Sequence, residues 1–188
     1  MGRAARLTYF LGSFLWLASV AAQAAPSWTL DAADSRLGFA ATQAGARFEG
    51  RFARFEADIR FDEQDLASSR FEVRVETASA DTAESRRDGI LTGPDFFWSE
   101  RHPIATFEAL DFSVSGRAYL ARGTLTLRGI SRPVELRFGF ERLPQGGARL
   151  TGGTTLRRLQ FGVGQGEWAS TEWVGDEVEV SFDLRLSR

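Results

Sequence analysis

Apolar and charged residues alternate one for one along much of this chain, and that alternation constrains its fold more than any other feature. Val178, Val180, Phe182, Leu184 and Leu186 share one side of an extended segment, opposed by Glu177, Glu179, Ser181, Asp183 and Arg185. Phe71, Val73 and Val75 alternate in the same way with Glu72, Arg74 and Glu76. Val134, Leu136, Phe138 and Phe140 do so against Glu135, Arg137 and Glu141. Strand side chains switch face at every residue, whereas a helix needs a period of 3.6. Each segment therefore predicts a strand with one dry face and one wet face, as in an antiparallel sheet.

Elsewhere the phase flips. Phe48, Gly50 and Phe52 share one phase, whereas Phe55, Ala57, Ile59 and Phe61 share the other. A flip of this kind predicts a bulge or tight turn between Phe52 and Phe55. Ala105 to Val114 flips similarly, from Phe107 and Ala109 to Leu110, Phe112 and Val114. Gly123 to Leu127 reads as a strand, Arg128 to Pro133 as its connection to the next, and Pro144-Gln145-Gly146-Gly147 as a turn. Only Thr82 to Leu91 invites a helix, of one or two turns. About eight strands fill the chain, which predicts a closed barrel or a two-sheet sandwich. The sixteen Phe and five Trp suit either a Phe-rich sandwich core or a barrel with contents. An eight-stranded barrel has a bore just wide enough to be filled by side chains or to hold one small ligand.

The first residues bear on where the protein works. Arg3 and Arg6 precede an uncharged apolar run from Leu7 to Val20, followed by Ala22-Gln23-Ala24. At about 14 residues the run is shorter than the roughly 20 needed to span a bilayer. The pattern predicts a signal peptide, 1–24, cleaved after Ala24, and one domain, 25–188. The expected location is a bacterial periplasm, reached by secretion. Removing the leader leaves 21 basic and 25 acidic residues, every basic one an arginine. Scattered charge of mildly acidic balance argues against nucleic acid as a partner. With no cysteine in the chain, neither disulfides nor thiolate ligands enter the argument.

Groups for catalysis are sparse. His102 is the single histidine, in Ser99-Glu100-Arg101-His102-Pro103, and reads as a loop residue. One histidine and no thiol build no histidine-rich metal site, and no nucleophile elbow accompanies it. Gly162-Val163-Gly164-Gln165-Gly166 lacks the dinucleotide-binding spacing and a βαβ setting, so it reads as a turn after Phe161. Asp62-Glu63-Gln64-Asp65 reads as a solvated turn rather than a calcium loop. Arg86-Arg87-Asp88 suits either an anionic or polar head group or the capping of the helical segment. Trp98, Trp168 and Trp173 suit either the wet rim of an apolar cavity or loop packing.

A set of motifs then recurs in order: Gly50-Arg51-Phe52 with Phe55 and Ile59-Arg60-Phe61-Asp62; Arg87-Asp88 with Leu91; Asp95-Phe96-Phe97; Pro103 to Phe107; Gly123 to Val134; and Arg158 to Gly164. Together, from about Trp28 to Leu186, they resemble the YceI-like proteins. That resemblance implies an all-β, eight-stranded antiparallel lipocalin-like barrel with a short helical segment. It also implies carriage of a long-chain isoprenoid, such as an isoprenoid quinone, or a related amphiphilic lipid inside the barrel, with no catalysis and no cofactor beyond that ligand. The stretch from Trp168 to Val180 is similar to a subgroup associated with membrane b-type cytochromes, which makes such a cytochrome a candidate partner. Many members carry a histidine before the serine of the first long strand and another near the Arg-Asp motif. This chain has Asp34-Ser35 and Ile90 there.

Strand phase nominates Phe39, Phe52, Phe107, Leu125, Phe138, Phe161 and Phe182 as lining, with Phe96, Phe97 and Trp98 near the mouth. Arg87, Asp88 and Arg158 are the head-group candidates, and no residue is nominated for catalysis or metal binding. Two alternatives stand beside this: a solid barrel acting as an accessory or stress-response interaction protein, and a hydrolase centred on His102. Oligomeric state is open, a homodimer included.

Overall fold

The computed structural model describes residues 25–188. The expected leader, 1–24, lies outside the described residues. Among the described residues ten strands are formed: β1 (Ser27–Gln43), β2 (Ala46–Phe52), β3 (Phe55–Arg60), β4 (Arg70–Glu76), β5 (Ala80–Asp81), β6 (Ile104–Ser115), β7 (Ala118–Leu127), β8 (Ile130–Arg142), β9 (Ala148–Arg157) and β10 (Glu177–Ser187), with one α-helix, α1 (Ser85–Thr92). They make eight crossings. β2 and β3 are two halves of one crossing, broken at Ala53 and Arg54, where the phase flip predicts a break. β4 and β5 are likewise one crossing, broken by a 3₁₀ turn at Thr77–Ser79.

Neighbours in sequence pair antiparallel around the sheet, and β10 closes it against β1, with Phe39 opposite Val180. The result is a closed eight-stranded antiparallel barrel with one short helix, the alternative that the family resemblance implies over a sandwich. Closure removes the exposed edges that a sandwich would keep. A second phase flip becomes the β6 bulge between Ala109 and Asp111, which turns Leu110 out to solvent. A bulge in β1 between Asp31 and Arg36 has no counterpart in the sequence reading.

One expected connection is corrected. Only Arg128 and Gly129, both at positive φ, form the turn, and β8 already begins at Ile130. Pro133, which lacks an N–H, is tolerated within β8 because only β7 pairs with that stretch. β8 and β9 pair from Arg137 opposite Gly153 to Arg142 opposite Ala148, so their other halves separate. The 3₁₀ turn Arg158–Phe161 packs beside β8 there, with Ile130 Cδ1 against Gly162.

The interior is filled unevenly. At the end holding the chain termini and the β3–β4 and β6–β7 connections, Phe61 is fully buried, its ring among those of Phe71, Phe112, Tyr119, Phe138 and Phe140 at 4.9–6.1 Å. Trp28 Nε1 donates to the Phe61 carbonyl (3.2 Å) and Phe61 N to the Pro26 carbonyl (3.1 Å), which fixes this aromatic plug. The other half of the barrel is hollow.

Candidate functional site

The hollow half is a cavity of about 210 Å³. Its walls are the inward faces of the strands, including Leu37, Phe55, Val73, Leu136, Leu156 and Val178. Leu91 of α1, Phe96 and Phe97 after it, and Phe161, Val163 and Val174 before β10 close over it as a cap. Apart from Thr77, Thr154 and Arg158, every lining residue is apolar. The Thr77 hydroxyl donates to the His102 carbonyl (2.8 Å), which leaves its methyl as the group free to meet an apolar ligand.

Two glycines shape this half. Gly50 stands opposite Phe39 across the β1–β2 pair, and a side chain there would run into the Phe39 ring. Without one, the ring lies across the strand and meets Phe52 at 5.2 Å and, through it, Phe97 at 5.8 Å. Gly164, at φ 88°, lies so close to Arg158 that a Cβ would strike the guanidinium.

Arg158 is 4% exposed and organises the cap. Its Nε donates to the Gly175 carbonyl (2.9 Å), Nη1 to Val163 (2.9 Å), and Nη2 to Val174 (2.8 Å) and Ser170 (3.4 Å). Burial holds its pKa below the usual guanidinium value, against an opposing pull from Asp176. Asp176 in turn accepts from Leu159 N at 3.0 Å. A planar fork of five donors suits this ring of carbonyls, which a lysine would not satisfy.

The nominated residues now have places. Phe39, Phe52, Phe107, Leu125, Phe161 and Phe182 line the cavity, and Phe96 and Phe97 lie in its cap. Phe138 does not line it. It is 1% exposed and belongs to the plug, because its position along β8 carries it to the filled end. Trp98 is not among the lining residues either: half-buried, it holds φ 49°, Arg101 and Arg128 stack on its ring, and His102 meets it edge-on at 5.8 Å. Arg158 borders the cavity, but its donors are spent on the cap. Asp88 Oδ1 accepts from Thr82 N (2.8 Å) and Oγ1 (2.6 Å), a local structural role. Arg87 lies with its guanidinium carbon 4.4 Å from the centre of the Phe48 ring, which lines the cavity. Trp168 packs on Phe96 at 5.6 Å, whereas Trp173 is exposed. Strand phase had no means of finding Leu91, Val163 and Val174, because they reach the cavity from the helix and from loops.

An antiparallel barrel plugged at one end, hollow and capped at the other, defines a lipocalin-like barrel built around an internal apolar cavity. The YceI-like domain model matches residues 28–186, and the chain belongs to the YceI-like family. A UPF0312 protein of Pseudomonas aeruginosa is 34% identical over 119 residues, 61% of this chain and 62% of that protein, so the match spans less than two thirds of its length. BcnA of Burkholderia cenocepacia superposes with a TM-score of 0.80 at 28% identity, covering 83% of this chain and 98% of that one. A polyisoprenoid binding domain from Saccharophagus degradans, implicated in plant cell wall breakdown, shares the fold with a TM-score of 0.66 at 16% identity, over 85% and 97% of the two chains.

Proposed function

We propose that this protein carries the tail of an isoprenoid or related long-chain amphiphile in the hollow half of its barrel and performs no chemistry on it. The observation that carries this reading is the apolar wall: the polar groups that border it are turned to backbone partners or belong to isolated threonines. A dry cavity of roughly 150 Å³ takes up benzene. By proportion, the volume of about 210 Å³ seats roughly eight carbons without rearrangement. At about 0.8 kcal/mol per buried methylene, that segment contributes on the order of 6 kcal/mol. Association costs on the order of 4–15 kcal/mol, so the seated segment alone binds weakly. A longer tail gains more by moving the cap or extending past it, which favours elongated ligands over compact ones. The polyisoprenoid binding domain of like fold supports the ligand class.

In this reading the leader, 1–24, sends the chain to the periplasm, where a greasy molecule crossing water needs a container. Native mass spectrometry of protein purified from its own host tests the carrier role. A hydrophobic molecule should accompany the folded chain and be released on denaturation, and Leu125→Trp, which fills the bore, should lower its occupancy. Folded protein that is repeatedly ligand-free and takes up no added isoprenoid refutes the proposal.

A further inference from the structure

Arg158 and Arg87 both stand beside the hollow half, and they differ in what their donors do. Arg158 gives its guanidinium to four cap carbonyls. Arg87, on α1, is in no ion pair among the described residues, and its buried Nε has no hydrogen-bond partner among them. Buried donors without partners are rare in folded proteins and call for an explanation.

The carboxylates near Arg87 are engaged elsewhere. Glu84 accepts from the backbone N–H groups of Arg86 (2.9 Å) and Arg87 (3.0 Å), capping α1. Asp88 holds Thr82, and Asp81 pairs with Arg51 at 2.9 Å. The Arg87 guanidinium lies instead on the ring of Phe48, an inward-facing residue of the cavity wall. A cation laid on an aromatic face beside an apolar bore, with an unmet donor, lacks only an anion.

Resting on the carrier reading, the geometry points to a head-group subsite at Arg87 for an anionic oxygen group, a carboxylate or a phosphate monoester, borne by the molecule whose tail fills the cavity. The planar fork accepts either group in a bidentate manner. Because the seated tail segment binds weakly by itself, this contact would decide which amphiphiles are retained.

Titration with three probes of equal tail tests the assignment: farnesol, farnesoate and farnesyl phosphate. Wild-type protein should bind at least one anionic probe more tightly than farnesol. Arg87→Met, which keeps an apolar stem over Phe48, should weaken that probe on the order of 10- to 100-fold while changing farnesol by less than about threefold. Arg87→Lys keeps the charge without the fork and should recover only part of the loss. Whichever anionic probe loses more identifies the head group as carboxylate or phosphate. Equal weakening of all three probes, or no weakening, overturns the subsite while leaving the carrier reading intact. Failure of wild-type protein to bind any of the three overturns the carrier reading and the subsite with it. Unfolding midpoints of the two variants separate a lost contact from a lost fold.

Discussion

Replacing Phe138 and Phe52 by alanine, one at a time, tests the division of the barrel into a solid and a hollow half. Phe138 is 1% exposed, with the rings of Phe71, Phe61, Tyr119 and Phe112 centred 5.2, 5.3, 5.5 and 6.3 Å away. Removing it forfeits about 1.5–3 kcal/mol of burial. A residual void of roughly 80 Å³ adds about 2 kcal/mol at ~24 cal/mol per Å³. Phe138→Ala should therefore cost about 3–5 kcal/mol, a large share of the roughly 5–15 kcal/mol that holds a domain folded. Among the described residues Phe52 meets two rings, Phe39 at 5.2 Å and Phe97 at 5.8 Å, and is partly buried on the cavity wall. It has fewer contacts to lose and its removal enlarges a space already present, so Phe52→Ala should cost about 1–2 kcal/mol. Urea unfolding at constant m reads both costs. Binding of N-phenyl-1-naphthylamine reads the cavity, and should rise for Phe52→Ala and stay unchanged per folded molecule for Phe138→Ala. Equal costs, or new dye binding in Phe138→Ala, would refute the two-half interior.

Arg158→Met removes the donors of four cap carbonyls and should cost on the order of 3–5 kcal/mol, with faster hydrogen exchange across residues 163–175 and quicker loss of bound dye. Gly164→Ala combines a positive φ of 88° with a clash against Arg158 and should cost about 2 kcal/mol or more, read by urea unfolding. Gly166→Ala, at φ 59° in open space, should cost only about 1 kcal/mol in the same assay. Acid should destabilise the barrel. The Arg149 guanidinium, donating to Asp183 at 2.6 and 2.8 Å, holds that carboxyl below its usual range, and Arg47 does the same for Glu179. The Ala83 N–H, followed by Arg51, does so for Asp81. Groups with depressed folded pKa stabilise fully above their unfolded values, near about pH 4, and lose that contribution as pH falls through the folded values. The urea midpoint should fall below about pH 4, and Asp183→Asn should flatten that limb; an unchanged limb would exclude the Asp183–Arg149 pair as a source.

Much of the architecture was legible in the pattern of the chain. Alternation located the strands, and the phase flips at Phe52/Phe55 and Ala109/Leu110 located two places where the sheet breaks register. The β1 bulge was not legible, because Asp31-Ala32-Ala33-Asp34-Ser35 offers no apolar alternation to interrupt. Nor was the strand through Pro133, since a proline reads as a breaker unless one knows that the neighbouring edge is open.

Period-two patterning records which side of the sheet a residue faces, and that belongs to the chain alone. How deep along the barrel it sits, and what arrives from the opposite wall, does not. Phe138 and Phe182 are both inward residues of alternating strands, yet Phe138 joins the plug around Phe61 whereas Phe182 borders the cavity. The division depends on a phenylalanine from the β3–β4 connection, a helix and a loop pinned by Arg158, brought together by closure from positions far apart in the chain. Packing of that kind is a property of the assembled volume, so only the tertiary structure decided where the barrel is filled and where it is open.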